Sequence, residues 1–231
     1  MNKDNNMSIL KEDNNEITLE EALEHNLTSE NPTSTSKLEK INRIITEKIQ
    51  KISDNITVIP DKKGIKVGFS DRKHRVDIGI EYDGKDLCYI DIKAPVTDVS
   101  KNRCNSMKNL LGEAIFIAKE HSQVIYIQLN FIPLFSFKGK ERKKDMKPED
   151  IHEKGKKRKK EKKRFNETIF NNLFLWYPED IRENCKLINI YYDFDFDEKE
   201  NKATVTKIEK VDDIDGIDLL VKIIKNSIQK K

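Results

Sequence analysis

Two runs of period-two alternation around one tight turn constrain this chain more than anything else in it. From Arg75 to Tyr82, apolar Val76, Ile78, Ile80 and Tyr82 alternate with Asp77, Gly79 and Glu81. Successive side chains of a strand point to opposite faces, so the run reads as a strand with one apolar and one polar side. Asp83-Gly84-Lys85 follows, and Asp-Gly is a strong hairpin signal. Leu87–Ala94 is then the return strand, ended by Pro95.

The rest of the chain supplies elements to cover such a hairpin. Ser36 can cap a helix whose apolar residues Leu38, Ile41, Ile44, Ile45, Ile49 and Ile52 form one stripe. Ile65–Phe69 reads as a short strand. A helix from about Ser100 to His121 has Met107, Leu110, Leu111, Ala114, Ile115, Ile117 and Ala118 inward. Gln123–Phe135 reads as a buried strand, broken near Pro133. Asn166–Trp176 is apolar and aromatic and returns the chain to the core. Lys186–Phe196 and Ala203–Val211 look like a second strand pair, and Ile214–Ile228 like a final helix. The expected class is α/β, a mixed central sheet flanked by helices.

Near the N-terminus, Thr18-Leu19-Glu20-Glu21 has the form of a capping box, opening a short helix to about Asn26. Residues 1–16 are Asn- and acid-rich and are expected to be disordered; 28–36 read as a linker. The expected organisation is an acidic, largely disordered segment 1–36 and a single domain 37–231. Within that domain the core spans about 37–135, a basic insertion about 138–164, and a C-terminal elaboration about 165–231.

Composition excludes several function classes. Of 231 residues, 44 are Lys or Arg and 41 are Asp or Glu, so the formal charge is only +3. No apolar run approaches the ~20 residues of a spanning helix, and Met1-Asn2-Lys3-Asp4 opens no secretory h-region. Cys88, Cys104 and Cys185 are few, odd in number and scattered, which suits free thiols in a reducing cytoplasm. The small total hides a partition. Residues 1–36 carry eight acids against two bases, a charge of −6, while 138–164 carry fifteen bases against six acids, a charge of +9. A segment that basic reads as a polyanion-binding arm.

The chemistry concentrates on the hairpin. Asp91 and Lys93 are two apart on one strand and so share a face; Asp77 lies on the neighbouring strand. Burying three charges on an apolar sheet is costly unless they pair or bind metal. Two carboxylates suit Mg²⁺, which takes oxygen ligands and keeps waters, and the Ile92 backbone carbonyl between them in sequence is a further candidate ligand. Lys93 could orient the attacking water, stabilise charge on phosphorus, or act as a base if burial lowers its pKa. A salt-bridged strand pair is the structural alternative.

At Asp77, Asp91 and Lys93 the chain resembles the PD-(D/E)xK nuclease superfamily, and within it the type II restriction endonucleases. The strand Tyr89-Ile90-Asp91-Ile92-Lys93 carries the second half of that motif, and Val76 stands where a proline is usual. The resemblance covers roughly residues 37–135, with a helix, a three-strand meander, a helix and a strand (αβββαβ). It implies a Mg²⁺-dependent, site-specific endonuclease acting on double-stranded DNA as a homodimer, with no organic cofactor. It also implies an acid from the first long helix, for which Glu47 is the candidate.

DNA contact is expected from the basic segment, at Lys156, Lys157, Arg158, Lys159, Lys160, Lys162, Lys163 and Arg164. Lys101, Arg103 and Asn105, where the helix after the catalytic strand begins, are further candidates. Glu81 reads as solvent-exposed and Gln128 as a satisfied core amide. Asp193-Phe194-Asp195-Phe196-Asp197 is not a calcium loop, since Glu198 and Thr204 replace its glycine and bidentate glutamate; it reads as a half-buried strand. The four histidines show no zinc spacing, and no phosphate-binding glycine loop or Ser-His-Asp pattern is present. Two other readings stay open: a repair, junction-resolving or transposition nuclease, and a non-catalytic nucleic-acid-binding protein.

Overall fold

The computed structural model describes residues 17–29, 35–66, 73–97, 99–137, 160, 171–172, 175 and 177–230. Its strands are β1 (Ile56–Lys66), β2 (Lys73–Tyr82), β3 (Lys85–Lys93), β4 (Ile125–Pro133), β5 (Cys185–Asp197) and β6 (Lys202–Ile208). Its helices are α1 (Leu19–Thr28), α2 (Glu39–Gln50), α3 (Val99–Glu120), α4 (Glu179–Arg182) and α5 (Gly216–Ile228).

The hairpin forms as its alternation requires. Asp83 and Gly84 take φ of 49° and 73°, the two positive values that a two-residue turn between twisted strands needs. All six strands join one mixed sheet in chain order. β1, β2 and β3 are an antiparallel meander. β3, β4 and β5 are parallel, and β6 returns antiparallel to β5. The second strand pair thus extends the same sheet.

Alternation along the strands sorts the core onto two faces. On one, Ile78, Ile80, Ile90, Ile92, Ile127 and Leu129 meet the apolar stripes of α1, α2 and α5. On the other, Tyr89 and Tyr126 meet Leu110, Ala114 and Ile117 of α3 and Ile181 of α4. β4 is buried nearly throughout, as a parallel strand covered on both faces should be. In β5 the Asp-Phe series is a half-buried strand, with Phe194 fully buried and Asp195 exposed.

Two elements differ from their reading in sequence. β1 starts at Ile56, well before Ile65; residues 67–69 lie outside the described ones. Pro60 and Gly64 look like strand breakers, yet β1 is a sheet edge, where a missing donor and a bulge are tolerated. Its register shifts between Lys63 and Ile65, beside Gly64 at φ 87°. The N-cap position of α2 is Leu38 rather than Ser36, at the end of a 3₁₀ turn over Thr35–Leu38, and it makes no side-chain cap bond.

The core also begins earlier than residue 37. The Thr18/Glu21 capping box forms, and α1 runs to Thr28 with Ala22, Leu23 and Leu27 fully buried. Asn26 Nδ2 donates to the Ala94 carbonyl at 3.3 Å, and Glu24 Oε1 accepts from the Val205 amide at 2.9 Å. Residues 17–29 of the acidic segment are therefore part of the packed domain. Residues 1–16 lie outside the described ones.

Candidate active site at a strand fork

β2 and β3 pair as far as Ile78 and Ile90 and then separate. Beyond that point the Ile92 amide has lost its partner strand. The Asp77 carboxylate takes its place: Ile92 N donates to Asp77 Oδ2 at 2.6 Å. A residue's amide and carbonyl leave an extended strand on the same edge, so the Ile92 carbonyl also faces the fork. Asp77 and Asp91 lie close enough to repel one another. The sequence-derived trio of Asp77, Asp91 and Lys93 is thus brought together on the α3 face of the sheet.

Asp91 is only 3% exposed. Tyr126 Oη donates to its Oδ2 at 2.5 Å, and His74 Nε2 stands 3.6 Å from the same oxygen. The His74 approach is longer than a hydrogen bond and is an ionic attraction. Lys93, with its side chain 41% exposed, reaches Glu113 Oε2 of α3 at 3.4 Å. Gln128, beside Asp91 in register on β4, donates to the Leu110 carbonyl and accepts from Tyr177. It is a satisfied core amide.

Charge in the site follows from these neighbours. Burial pushes Asp77 above its ordinary value, and the Ile92 amide offsets this only in part. Burial acts on Asp91 in the same sense, but His74, Lys93 and Tyr126 outweigh it and hold its carboxyl low. Burial would lower Lys93, yet Asp91, Glu113 and Asp77 together raise it. Lys93 is therefore a cation here, which suits charge stabilisation better than proton abstraction. Asp91 likewise raises His74, against a smaller effect of burial.

That last shift has a measurable sign. A histidine whose folded pKa lies above its unfolded value of about 6.5 stabilises the fold fully below that pH. The contribution is lost as pH rises through the folded value. Urea unfolding of the metal-free protein should show stability declining above about pH 6.5, and His74→Gln should flatten that decline. An unchanged slope in the variant would refute the His74–Asp91 attraction.

Other expected site residues fall elsewhere. Glu47 is not brought to the fork: α2 covers the opposite face of the sheet, and Glu47 is half-exposed beside Arg43 at 3.6 Å. Glu81 is paired rather than simply solvated, 2.8 Å from Lys62, which also contacts Asp86. Lys160 is not a free phosphate contact. Its Nζ bonds the Phe194 carbonyl, lies 3.4 Å from Asp193, and sits over the rings of Phe135 and Phe194. Asn105 is exposed on α3. The side chains of Lys101 and Arg103 lie outside the described residues, as do Lys156, Lys157, Arg158, Lys159, Lys162, Lys163 and Arg164.

Strand spacing does not reach His74, Glu113 or Tyr126, which complete the site. Glu113 had a signal, since it lies three residues after Leu110 and four before Ile117, on the buried stripe of α3. Among the described residues, no group of three or more His, Cys, Asp and Glu is gathered for a metal ion. The two carboxylates and the carbonyl at the fork are hard oxygen donors of the kind Mg²⁺ takes alongside water and phosphate. No family model matches the chain, and neither a curated protein nor a solved structure matches it.

Proposed function

We propose that this chain is a cytoplasmic, Mg²⁺-dependent endonuclease that cleaves double-stranded DNA at specific sites as a homodimer, in the manner of a type II restriction enzyme. The observation that carries the reading is the convergence of Asp77, Asp91 and Lys93 where β2 leaves β3. The element order supports it: α2, the β1–β3 meander, α3 and the parallel strand β4 match the αβββαβ order of the resembled superfamily.

Asp77, Asp91 and the Ile92 carbonyl would hold the metal. When bound, Mg²⁺ supplies an acidified water and neutralises charge on the phosphate. Tyr126 fixes the Asp91 carboxylate by its hydrogen bond, and the Ile92 amide fixes Asp77. Lys93, held cationic, stabilises the negative charge that develops on phosphorus. Glu113 positions the Lys93 ammonium.

A second reading has its own support. Asp91 and Lys93 already have protein partners in His74, Tyr126 and Glu113, as a purely structural ion cluster would. The chain would then bind nucleic acid without cutting it. Incubation with plasmid DNA, with and without Mg²⁺, followed by sequencing of the ends, separates the two. Discrete, Mg²⁺-dependent bands support the nuclease; intact plasmid at every metal concentration refutes it.

A further inference from the structure

Next to Lys93, the α3 face of the sheet carries a polar pair that the catalytic reading does not use. Lys93, Asn130 and Asn189 stand side by side in register across β3, β4 and β5. The row on one side holds Asp91, Gln128 and Leu187, and the row on the other Ile132 beside Tyr191. A buried amide such as that of Asn130 is costly unless its polar atoms are used.

They are used in one direction. Asn130 Nδ2 donates to Asn189 Oδ1 at 2.9 Å, and Asn189 Nδ2 donates to Asn171 Oδ1 at 3.4 Å. Tyr191 Oη donates to the same Asn171 oxygen at 2.7 Å. Asn130 is 1% exposed, and its Oδ1 has no hydrogen-bond partner. The row thus begins beside Lys93 on an unsatisfied buried acceptor and ends on an exposed amide.

Asn171 is the unusual member. A surface asparagine ordinarily turns freely, yet here two donors fix its oxygen toward the protein. Its two Nδ2 hydrogens are thereby directed away from those donors. A fixed donor pair can read an acceptor on a base edge, and it can also hold a phosphate oxygen; dependence on the DNA sequence separates the two.

We propose that Asn171 is a specificity-determining residue that donates to a base edge of duplex DNA. Asn189 and Tyr191 position it, and the Asn130–Asn189 row ties it to the Lys93 end of the catalytic site. The inference rests on the nuclease reading for the identity of its ligand.

The test uses the full chain. Wild-type cleavage sites are first located by sequencing plasmid ends. Binding in Ca²⁺ is then measured on one duplex carrying such a site and on a scrambled duplex. Asn171→Ala, which removes the donors at an exposed position without adding charge, should weaken binding to the cognate duplex about tenfold or more. Binding to the scrambled duplex should change less than about twofold, because phosphate contacts dominate there. Tyr191→Phe, which keeps the ring and releases the Asn171 oxygen, should reproduce part of the cognate loss. Equal losses on both duplexes, or no loss on either, would overturn the proposal while leaving the nuclease reading in place. A wild-type protein that neither binds nor cuts duplex DNA would overturn both.

Discussion

Asp91→Asn and Lys93→Ala should each reduce Mg²⁺-dependent plasmid cleavage by about 10³-fold or more, the scale seen when a group central to transition-state stabilisation is removed. Both variants should still bind duplex DNA when Ca²⁺ replaces Mg²⁺. The asparagine is chosen with the site in mind. Asp91 is buried against Tyr126 and His74, and alanine would strip a partner from both. Removing one member of a buried charged pair costs on the order of 3–5 kcal/mol, so loss of activity in Asp91→Ala could reflect unfolding. Asparagine keeps the shape and one acceptor while removing the charge a metal needs. A melting curve for each variant provides the control. Cleavage persisting in either variant, or in excess EDTA, would sink the mechanism. Loss of activity together with a collapsed melting curve in Asp91→Asn would favour the structural ion cluster.

The second large effect concerns stability. Leu23→Ala and Leu27→Ala should each destabilise the protein by about 2–5 kcal/mol, and deletion of residues 1–36 by more than either. Both leucines have no exposed surface and belong to the cluster under β2, β3 and β4. The deletion would remove them with Ala22. It would also free the Val205 amide from Glu24 and the Ala94 carbonyl from Asn26. Chemical denaturation measures this directly. If residues 1–36 were an independent acidic tail, their removal would leave the midpoint unchanged, and such a result would contradict the packing of α1.

How far the fold can be read in the sequence depends on how local its causes are. The β2–β3 hairpin was legible because alternation and Asp-Gly turn chemistry act within twenty residues. α3 and α5 were legible for the same reason, each carrying a stripe of its own. β1 was read too short, because Pro60 and Gly64 mark breaks in any strand except an edge, and edge position is a property of the whole sheet. α1 looks like a short helix in a tail, because Ala94 and β6, which it bonds and covers, are remote from it in sequence. The site divides in the same way. Strand spacing alone puts Asp91 and Lys93 on one face and Asp77 on the neighbouring strand. Glu113 and Tyr126 depend on which helix covers which face, and so does the absence of Glu47 from the fork, since α2 covers the opposite one. His74 stands where the β1–β2 register shifts, and nothing local announces that shift.

The contact between α1 and β6 also bears on how the chain is made. Glu24 and Val205, which close the β6 edge, are 181 residues apart. At about 5–20 residues per second, on the order of 10–40 s separate the synthesis of one from the other. Throughout that interval the apolar stripe of α1 is finished but has no β6 to cover. A ribosome-bound chain stopped before β6 should therefore leave the side of α1 that meets β6 uncovered, and that side would need shielding until β6 has been made.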